Sequence, residues 1–205
     1  KIKNERLISN EEVGDIHVIS SELHGIGISG DIIPNIIDEI PILSIAASFA
    51  KGETLITDAE ELRVKESDRL QAISDGLQKI NIHHELFHDG IKIIGSSEDI
   101  SVMAEIDSHG DHRIAMSFLI ASLRSKKGIY VEDCKNILTS FPNFIEVMSS
   151  LGISAGVHPP CAGSAAIPGG RDQRPSRLHR AAIPSRHSGV HGRSRLGPAR
   201  SFPCR

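Results

Sequence analysis

Apolar residues recur along the chain with two periods, one typical of helices and one of strands. Helical spacing predicts four helices, over residues 36–52, 65–80, 111–123 and 142–151. Alternating or β-branched runs predict strands over residues 15–19, 53–58, 84–88, 91–94 and 128–131. Asp89-Gly90 between two of these runs indicates a hairpin. Strand, helix and paired strands recur about twice, so the pattern predicts a repeated α/β unit.

Three glycines, Gly25, Gly27 and Gly30, have the GxGxxG spacing of a dinucleotide-binding loop. Such a loop needs a helix that begins at the third glycine. Pro34 follows four residues later and argues against that helix. We therefore do not expect a dinucleotide site here.

Composition limits the class of protein. The chain has 205 residues, of which 39% are hydrophobic, enough for one or two domains with a core. Its apolar runs are shorter than the ~18 residues of a membrane span, and its first residues do not resemble a signal peptide. Three widely spaced cysteines favour neither a disulfide framework nor a zinc site. We expect a cytoplasmic protein without a membrane partner, and the absence of an initiator Met suggests a piece of a longer chain.

Charge is divided unevenly along the chain. Residues 155–205 carry nine Arg and one Asp, whereas residues 1–154 carry the acidic excess. The first 154 residues are therefore expected to form the folded part, and the Arg/Pro/Gly-rich tail to be disordered. The tail could bind nucleic-acid phosphates without sequence preference. It lacks interleaved aromatic residues, so no nucleic-acid partner is expected.

The segment Leu62–Leu70 contains the most concentrated candidate chemistry. On a helix, Lys65, Glu66 and Arg69 would share one face. Two cations beside a carboxylate suit an anionic substrate that exchanges a proton, although a solvated, salt-bridged helix start has the same pattern. Asp38 and His112-Arg113 stand at two other predicted helix starts. If these helix N-termini converge, they form a site for a phosphorylated acid.

Four motifs in order resemble one enzyme family. They are Asp38–Pro41, Glu60–Leu70, Asp111–Ser117 and Thr139–Pro142. The sequence resembles the C-terminal part of 5-enolpyruvylshikimate-3-phosphate synthases, and their glyphosate-tolerant bacterial type in particular, over about residues 1–154. The resemblance implies two domains in the whole enzyme, each an inside-out α/β barrel of βαβαββ-type units, of which this chain would form a part.

The resemblance also implies a reaction and roles for individual residues. The family transfers the enolpyruvyl group of phosphoenolpyruvate to the 5-hydroxyl of shikimate 3-phosphate, in the shikimate pathway to aromatic amino acids. By position, Asp38 matches the proton acceptor at that hydroxyl, and Lys65 matches a residue that also contacts shikimate 3-phosphate. Glu66 matches the carboxylate that exchanges a proton with the enolpyruvyl methylene. No metal or organic cofactor is implied, and the full-length enzyme is expected to be a monomer.

The remaining matched positions concern phosphoenolpyruvate. Arg69 and Arg113 match its two arginine ligands, with His112 beside them. Thr139 stands where many members have a phosphoenolpyruvate-binding lysine, which changes the expectation for inhibitors more than for activity.

Two other departures from the family bear on activity. Residues that the other domain contributes to shikimate 3-phosphate are absent, and the tail has no counterpart in the family. We therefore expect no synthase activity from this chain alone. The alternatives are a non-catalytic remnant of the family and a paralogous enolpyruvyl transferase that acts on a nucleotide sugar.

Overall fold

The computed structural model describes residues 1–150 and, beyond them, the backbone of two short strands. The strands are β1 (Ile2–Ile8), β2 (Glu11–Ile16), β3 (Gly27–Ile28), β4 (Glu53–Ile56), β5 (His84–Leu86), β6 (Ile91–Ile94), β7 (Ala104–Asp107), β8 (Ile129–Glu132), β9 (Gly156–Val157) and β10 (Arg180–Ile183). The helices are α1 (Ile33–Ile36), α2 (Ile40–Ser48), α3 (Arg69–Lys79), α4 (His112–Ala121), α5 (Ile137–Ser140) and α6 (Phe144–Ser150). Short 3-10 turns stand at Gly30–Ile32, Ile37–Glu39, Glu60–Val64 and Ser122–Arg124.

Two mixed sheets carry the α/β units that the sequence pattern predicts. In the first sheet the strand order is β3-β4-β6-β5, with β3 and β4 parallel and joined by α1 and α2. In the second sheet the order is β7-β8-β10-β9, with β7 and β8 parallel and joined by α4. Parallel neighbours need such helical crossovers, which cover the sheet with apolar helix faces. The predicted mixed α/β class is confirmed, and within the described residues the sheets remain two open layers.

One apolar core joins the helices to both sheets. Strands β4 and β6 contribute Ile56, Ile91 and Ile93, all fully buried. Helices α3 and α4 contribute further fully or almost fully buried side chains, namely Leu70, Ile73, Leu77, Ile114, Phe118 and Leu119. Helices α2 and α3 both pack against α4 and also contact each other.

The N-terminal segment differs from its prediction. The predicted strand at 15–19 is instead β2, which ends at Ile16 and pairs antiparallel with β1. Ser9 and Asn10 have positive φ of 52° and 66°, as the tight turn of a hairpin requires. The prediction overlooked β1 because its residues are exposed and highly charged, so no burial alternation marks it.

The argument from Pro34 against a helix after Gly30 was also wrong. A 3-10 turn begins at Gly30, and α1 follows with Pro34 in its first turn. Proline is tolerated in the first turn of a helix, because the backbone N–H groups there have no intrahelical acceptor. The segment's strand β3 lies parallel to β4 in the first sheet.

The expectation of a disordered tail concerns residues that lie mostly outside the described part of the chain. Six of its residues are described, and they form two short strands. β10 pairs antiparallel with β8, and β9 pairs with β10. The edge of β8 opposite β7 offers unpaired backbone groups, which β10 satisfies. Within the described residues, no helix is long and apolar enough to cross a membrane.

Candidate anion site at three helix starts

Arg69 is the first residue of α3 and the centre of a cluster of carboxylates. Its guanidinium is only 1% exposed and donates to a carboxylate from each of its three nitrogens. Nε donates to Asp111 Oδ2 at 2.7 Å, Nη1 to Asp38 Oδ1 at 2.8 Å and Nη2 to Glu66 Oε2 at 2.5 Å. A buried cation requires such compensation, so these bonds determine where the guanidinium lies.

Arg113 lies beside this cluster, at the second residue of α4. Its Nη1 donates to Glu39 Oε1 at 2.8 Å and to the backbone carbonyl of Asp38 at 2.9 Å. Its Nη2 is 3.7 Å from Asp38 Oδ2. The Asp38 carboxylate therefore faces both guanidinium groups, as expected if the three helix starts converge. The structure thus brings together Asp38, Glu66, Arg69 and Arg113.

The segment before α3 reaches the cluster as a turn and loop. Residues 60–64 form a 3-10 turn that buries Leu62, and Asp68 caps α3 by accepting from Gln71 N at 3.0 Å. Arg63 holds this segment to the β5–β6 turn through bonds to the carbonyls of His88 and Phe87. The sequence prediction that residues 65–80 form one helix was therefore wrong at its start.

Lys65 and Glu66 consequently do not share a helix face with Arg69. Lys65 is in extended backbone after the 3-10 turn, and its Nζ pairs with Glu61. Glu66 reaches Arg69 because the loop folds back onto the start of α3. The helical pattern was misleading because a charged loop followed by a capped helix has the same spacing as a charged first turn.

Two other residues expected at the site make no contact with it in the bonds described for residues 1–150. His112 is half-buried at the first position of α4, next to Arg113. Thr139 is exposed in α5. Their assignment to phosphoenolpyruvate stays a prediction.

The electrostatics of the cluster favour the ionised form of Asp38. Partial burial raises the pKa of Asp38, but the hydrogen bond from Arg69 and the charges of Arg113, Arg69 and Lys65 outweigh it. The pKa of Asp38 therefore lies below its ordinary value. Burial lowers the pKa of Arg69, but the bond and charge of Asp111, with those of Asp38 and Glu66, raise it overall. Asp38 and Arg69 therefore form a charged pair at neutral pH.

Sequence reasoning gave no role to two of the carboxylates that bond Arg69 or Arg113. Asp111 bonds Arg69 and caps α4, since its Oδ1 accepts from Arg113 N at 2.8 Å and from Ile114 N at 3.4 Å. Glu39 pairs with Arg113. An aspartate directly before an apolar helix is a capping signal that could have revealed half of the Asp111 role. Its contact with Arg69, 42 positions away, had no signal in the sequence.

Among residues 1–150, the negative groups in contact at this site outnumber the positive ones. Lys65, Arg69 and Arg113 face five carboxylates, those of Asp38, Glu39, Glu61, Glu66 and Asp111. Asp38 and Glu66 are 47% and 51% exposed, whereas Asp111 is fully buried. Solvent therefore screens the pairs of Arg69 with Asp38 and Glu66, whereas the pair with Asp111 is shielded from it.

Comparison with known proteins agrees with these motifs. A profile of the family described as EPSP synthase (3-phosphoshikimate 1-carboxyvinyltransferase) matches residues 2–148. The chain belongs to the EPSP synthase family. A 3-phosphoshikimate 1-carboxyvinyltransferase of Vesicomyosocius okutanii is 50% identical over 153 residues, which are 75% of this chain and 35% of that protein. One of Alkalilimnicola ehrlichii is 44% identical over 154 residues, 75% of this chain and 34% of that protein.

A solved structure supports the same relationship at the level of the fold. An EPSP synthase from Acinetobacter baumannii superposes with a TM-score of 0.70 and 44% identity, over 73% of this chain and 35% of that one. The EPSP synthase fold therefore extends over most of the described residues. The chain spans about a third of the length of the relatives it matches.

Proposed function

We propose that this chain carries the phosphoenolpyruvate-binding and proton-transferring wall of a 3-phosphoshikimate 1-carboxyvinyltransferase. The observation that carries the proposal is the meeting of Asp38, Glu66, Arg69 and Arg113 at the starts of α2, α3 and α4. Two guanidinium groups suit the carboxylate and phosphate of phosphoenolpyruvate. Two carboxylates beside them suit the transfer of protons to and from the reacting atoms.

In the proposed reaction, the 5-hydroxyl oxygen of shikimate 3-phosphate bonds to C2 of phosphoenolpyruvate. Asp38 accepts the hydroxyl proton while Glu66, in its protonated form, delivers a proton to C3, and C2 becomes tetrahedral. The Glu66 carboxylate then takes a proton back from C3, which restores the double bond as inorganic phosphate leaves. Lys65 is assigned to shikimate 3-phosphate, and Arg69 and Arg113 to phosphoenolpyruvate, with His112 and Thr139 as further candidates.

Substrate binding would itself prepare the carboxylates for this chemistry. In the structure Asp38 and Glu66 occupy the Nη1 and Nη2 donors of Arg69. A substrate carboxylate or phosphate that takes over these donors removes the cationic partners from Asp38 and Glu66. Loss of the Arg69 hydrogen bond would remove one of the causes that lower the pKa of Asp38, so Asp38 becomes a better proton acceptor once the anion has bound.

Several finer features belong to the same proposal. We assign the chain to part of an inside-out barrel built of βαβαββ-type units, supported by its two helix-joined parallel strand pairs. We assign it to the glyphosate-tolerant type on the motif resemblance, including Thr139. A monomeric, cytoplasmic full-length enzyme stays a prediction.

Binding of phosphoenolpyruvate to the 205-residue chain tests the assignment directly. Phosphoenolpyruvate should perturb the arginine side-chain NMR signals, and Arg113→Gln should weaken binding about tenfold or more, because a charge-assisted hydrogen bond to the anion is lost. Arg124→Gln is the matched control, since Arg124 also pairs with a carboxylate, Asp99, but lies outside the cluster. Equal losses in the two variants would contradict the proposed site.

The second measurement is the formation of product from the two substrates by the 205-residue chain. The chain contains about a third of the length of its relatives, so we expect binding without formation of enolpyruvylshikimate phosphate from the two substrates. Release of phosphate by the chain that depends on shikimate 3-phosphate and is abolished by Asp38→Asn would show that these residues suffice for turnover.

A further inference from the structure

Asp111 is the most deeply buried charged group in contact with the site. Its carboxylate is fully buried, and each of its oxygens accepts from a different structural element. Oδ2 accepts from Arg69 Nε at 2.7 Å and from Ser67 Oγ at 3.2 Å. Oδ1 accepts from the backbone N–H of Arg113 and of Ile114 at the start of α4. One carboxylate thus joins the start of α3 to the start of α4.

We propose that Asp111 is a positioning residue that fixes the Arg69 guanidinium relative to Arg113 and keeps it in place when an anion displaces Asp38 and Glu66. The inference rests on the proposed function, in which Arg69 and Arg113 bind one anion. Asp111 itself would not touch the substrate, because its oxygens are used by protein donors.

The division of the Arg69 donors supports this role. Nη1 and Nη2 bond to carboxylates that are about half exposed and able to move into solvent. Nε bonds to a carboxylate that is completely enclosed. Arg69 therefore has one edge fixed by the protein and two nitrogens available for exchange with a ligand. A guanidinium held by one edge keeps the fixed fork geometry that bidentate anion recognition needs.

The cap and the ion pair also depend on the same side chain. Asp111 sets the first turn of α4, and Arg113 is the second residue of that helix. A shift of α4 would carry Asp111 and Arg113 together, and Asp111 would draw Arg69 with it. Asp111 thereby sets the distance between the two arginines, because it bonds the side chain of Arg69 and the backbone N–H of Arg113. The packing of long side chains does not have to set it.

Asp111→Asn separates the helix cap made by Oδ1 from the ion pair made by Oδ2. Asparagine is a good N-cap, and its Oδ1 still accepts from the α4 backbone. Its amide nitrogen is a donor and cannot accept from Arg69 Nε. In NMR spectra of the full chain with isotope-labelled arginine, we expect the Arg69 Nε–H proton to exchange with water roughly tenfold faster or more. The amide signals of α4 should keep their positions.

Asp68→Asn is the matched control. Asp68 likewise caps a helix and pairs with an arginine, Arg63, but it is 40% exposed and solvent screens the pair. This control should leave the Arg69 signal unchanged. If Asp111→Asn also left it unchanged, or moved only the α4 amides, the positioning role would be refuted.

The unmodified chain gives a second measurement should Asp111→Asn fail to fold. Arg69 Nε–H should then be far better protected from exchange than Arg113 Nε–H, since Arg113 is bonded through its terminal nitrogens. Equal protection would refute the role. Phosphoenolpyruvate binding is scored separately: if the unmodified chain shows the protected Arg69 signal but binds no phosphoenolpyruvate, the proposed function fails and the structural link stands.

Discussion

At the scale of single residues, Asp38 shows how a carboxylate can be both a structural partner and a candidate base. It is half exposed, yet it pairs with the buried guanidinium of Arg69 and faces that of Arg113. These cations lower its pKa below the ordinary value. Asp38 therefore stabilises the fold as an anion.

Asp38→Asn should reduce the sensitivity of the fold to acid. A carboxylate whose pKa is lowered by folding stabilises the protein above its unfolded pKa, about 4, and this contribution is lost as the pH falls through the folded pKa. The free energy of unfolding of the unmodified chain should therefore fall more than that of the variant when the pH is lowered from about 5 to about 2. Urea unfolding at a series of pH values measures the difference.

The control for this change is Asp31→Asn, which removes an exposed carboxylate from a 3-10 turn outside the cluster. It should leave the acid dependence as it is. An Asp38→Asn variant with the same acid dependence as the unmodified chain would show that the Arg69 pair contributes nothing to stability.

At the scale of elements, the close approach of α3 and α4 sets the geometry of the site. Gly76 of α3 faces the Phe118 ring of α4, and a Cβ at Gly76 would lie 2.0 Å from Phe118 Cζ. Phe118 is 1% exposed, so its ring has little room to move away. The missing side chain at Gly76 lets the two helices bring Arg69 and Arg113 to the same end of the layer.

Gly76→Ala should therefore destabilise the chain although alanine is the better helix former. Alanine gains about 1 kcal/mol in helix propensity, whereas overpacking a core costs about 1–3 kcal/mol and more for a severe clash. We expect a net loss of about 1–2 kcal/mol in the free energy of unfolding, measured by urea denaturation. Gln78→Ala, an exposed position on the same helix, is the control. A more stable Gly76→Ala variant would mean that the helices can separate at no cost.

Element prediction succeeded where one physical signal dominated. The β5–β6 hairpin and α4 followed from Asp89-Gly90 and from the apolar run after Asp111, and both are confirmed. The start of α3 was misplaced because the charges of residues 65–68 do not distinguish a loop from a first helical turn. Strand β1 was missed because it lies outside the core.

At the scale of the whole molecule, the N-terminal hairpin stands apart from the core. Strands β1 and β2 pair with each other in a two-stranded sheet, and almost all of their residues are exposed. Several of these are large apolar residues, including Leu7 and Ile16. A hairpin without a covering layer is only marginally stable in water.

Amide hydrogen exchange should therefore divide the described chain into two classes. Amides of β1 and β2 should exchange at least about a hundredfold faster than those of β5 and β6, because the second hairpin belongs to a four-stranded sheet and packs against α3. The two hairpins serve as internal controls for each other. Equal protection would show that the first hairpin is covered in solution, for example by a second copy of the chain.

The sequence by itself determined the mixed α/β class, most helices, one hairpin and the family, because apolar period, turn residues and motif order are local properties of the chain. It also marked candidates for one site, namely Asp38, Lys65, Glu66, Arg69, His112, Arg113 and Thr139. Only the tertiary structure decided how they meet: Arg69 is buried among three carboxylates, Lys65 pairs with Glu61, and Asp111 joins two helix starts. The reason is physical, since a buried charge takes whichever partners the packing of α2, α3 and α4 brings within reach, and that packing depends on residues far apart in sequence.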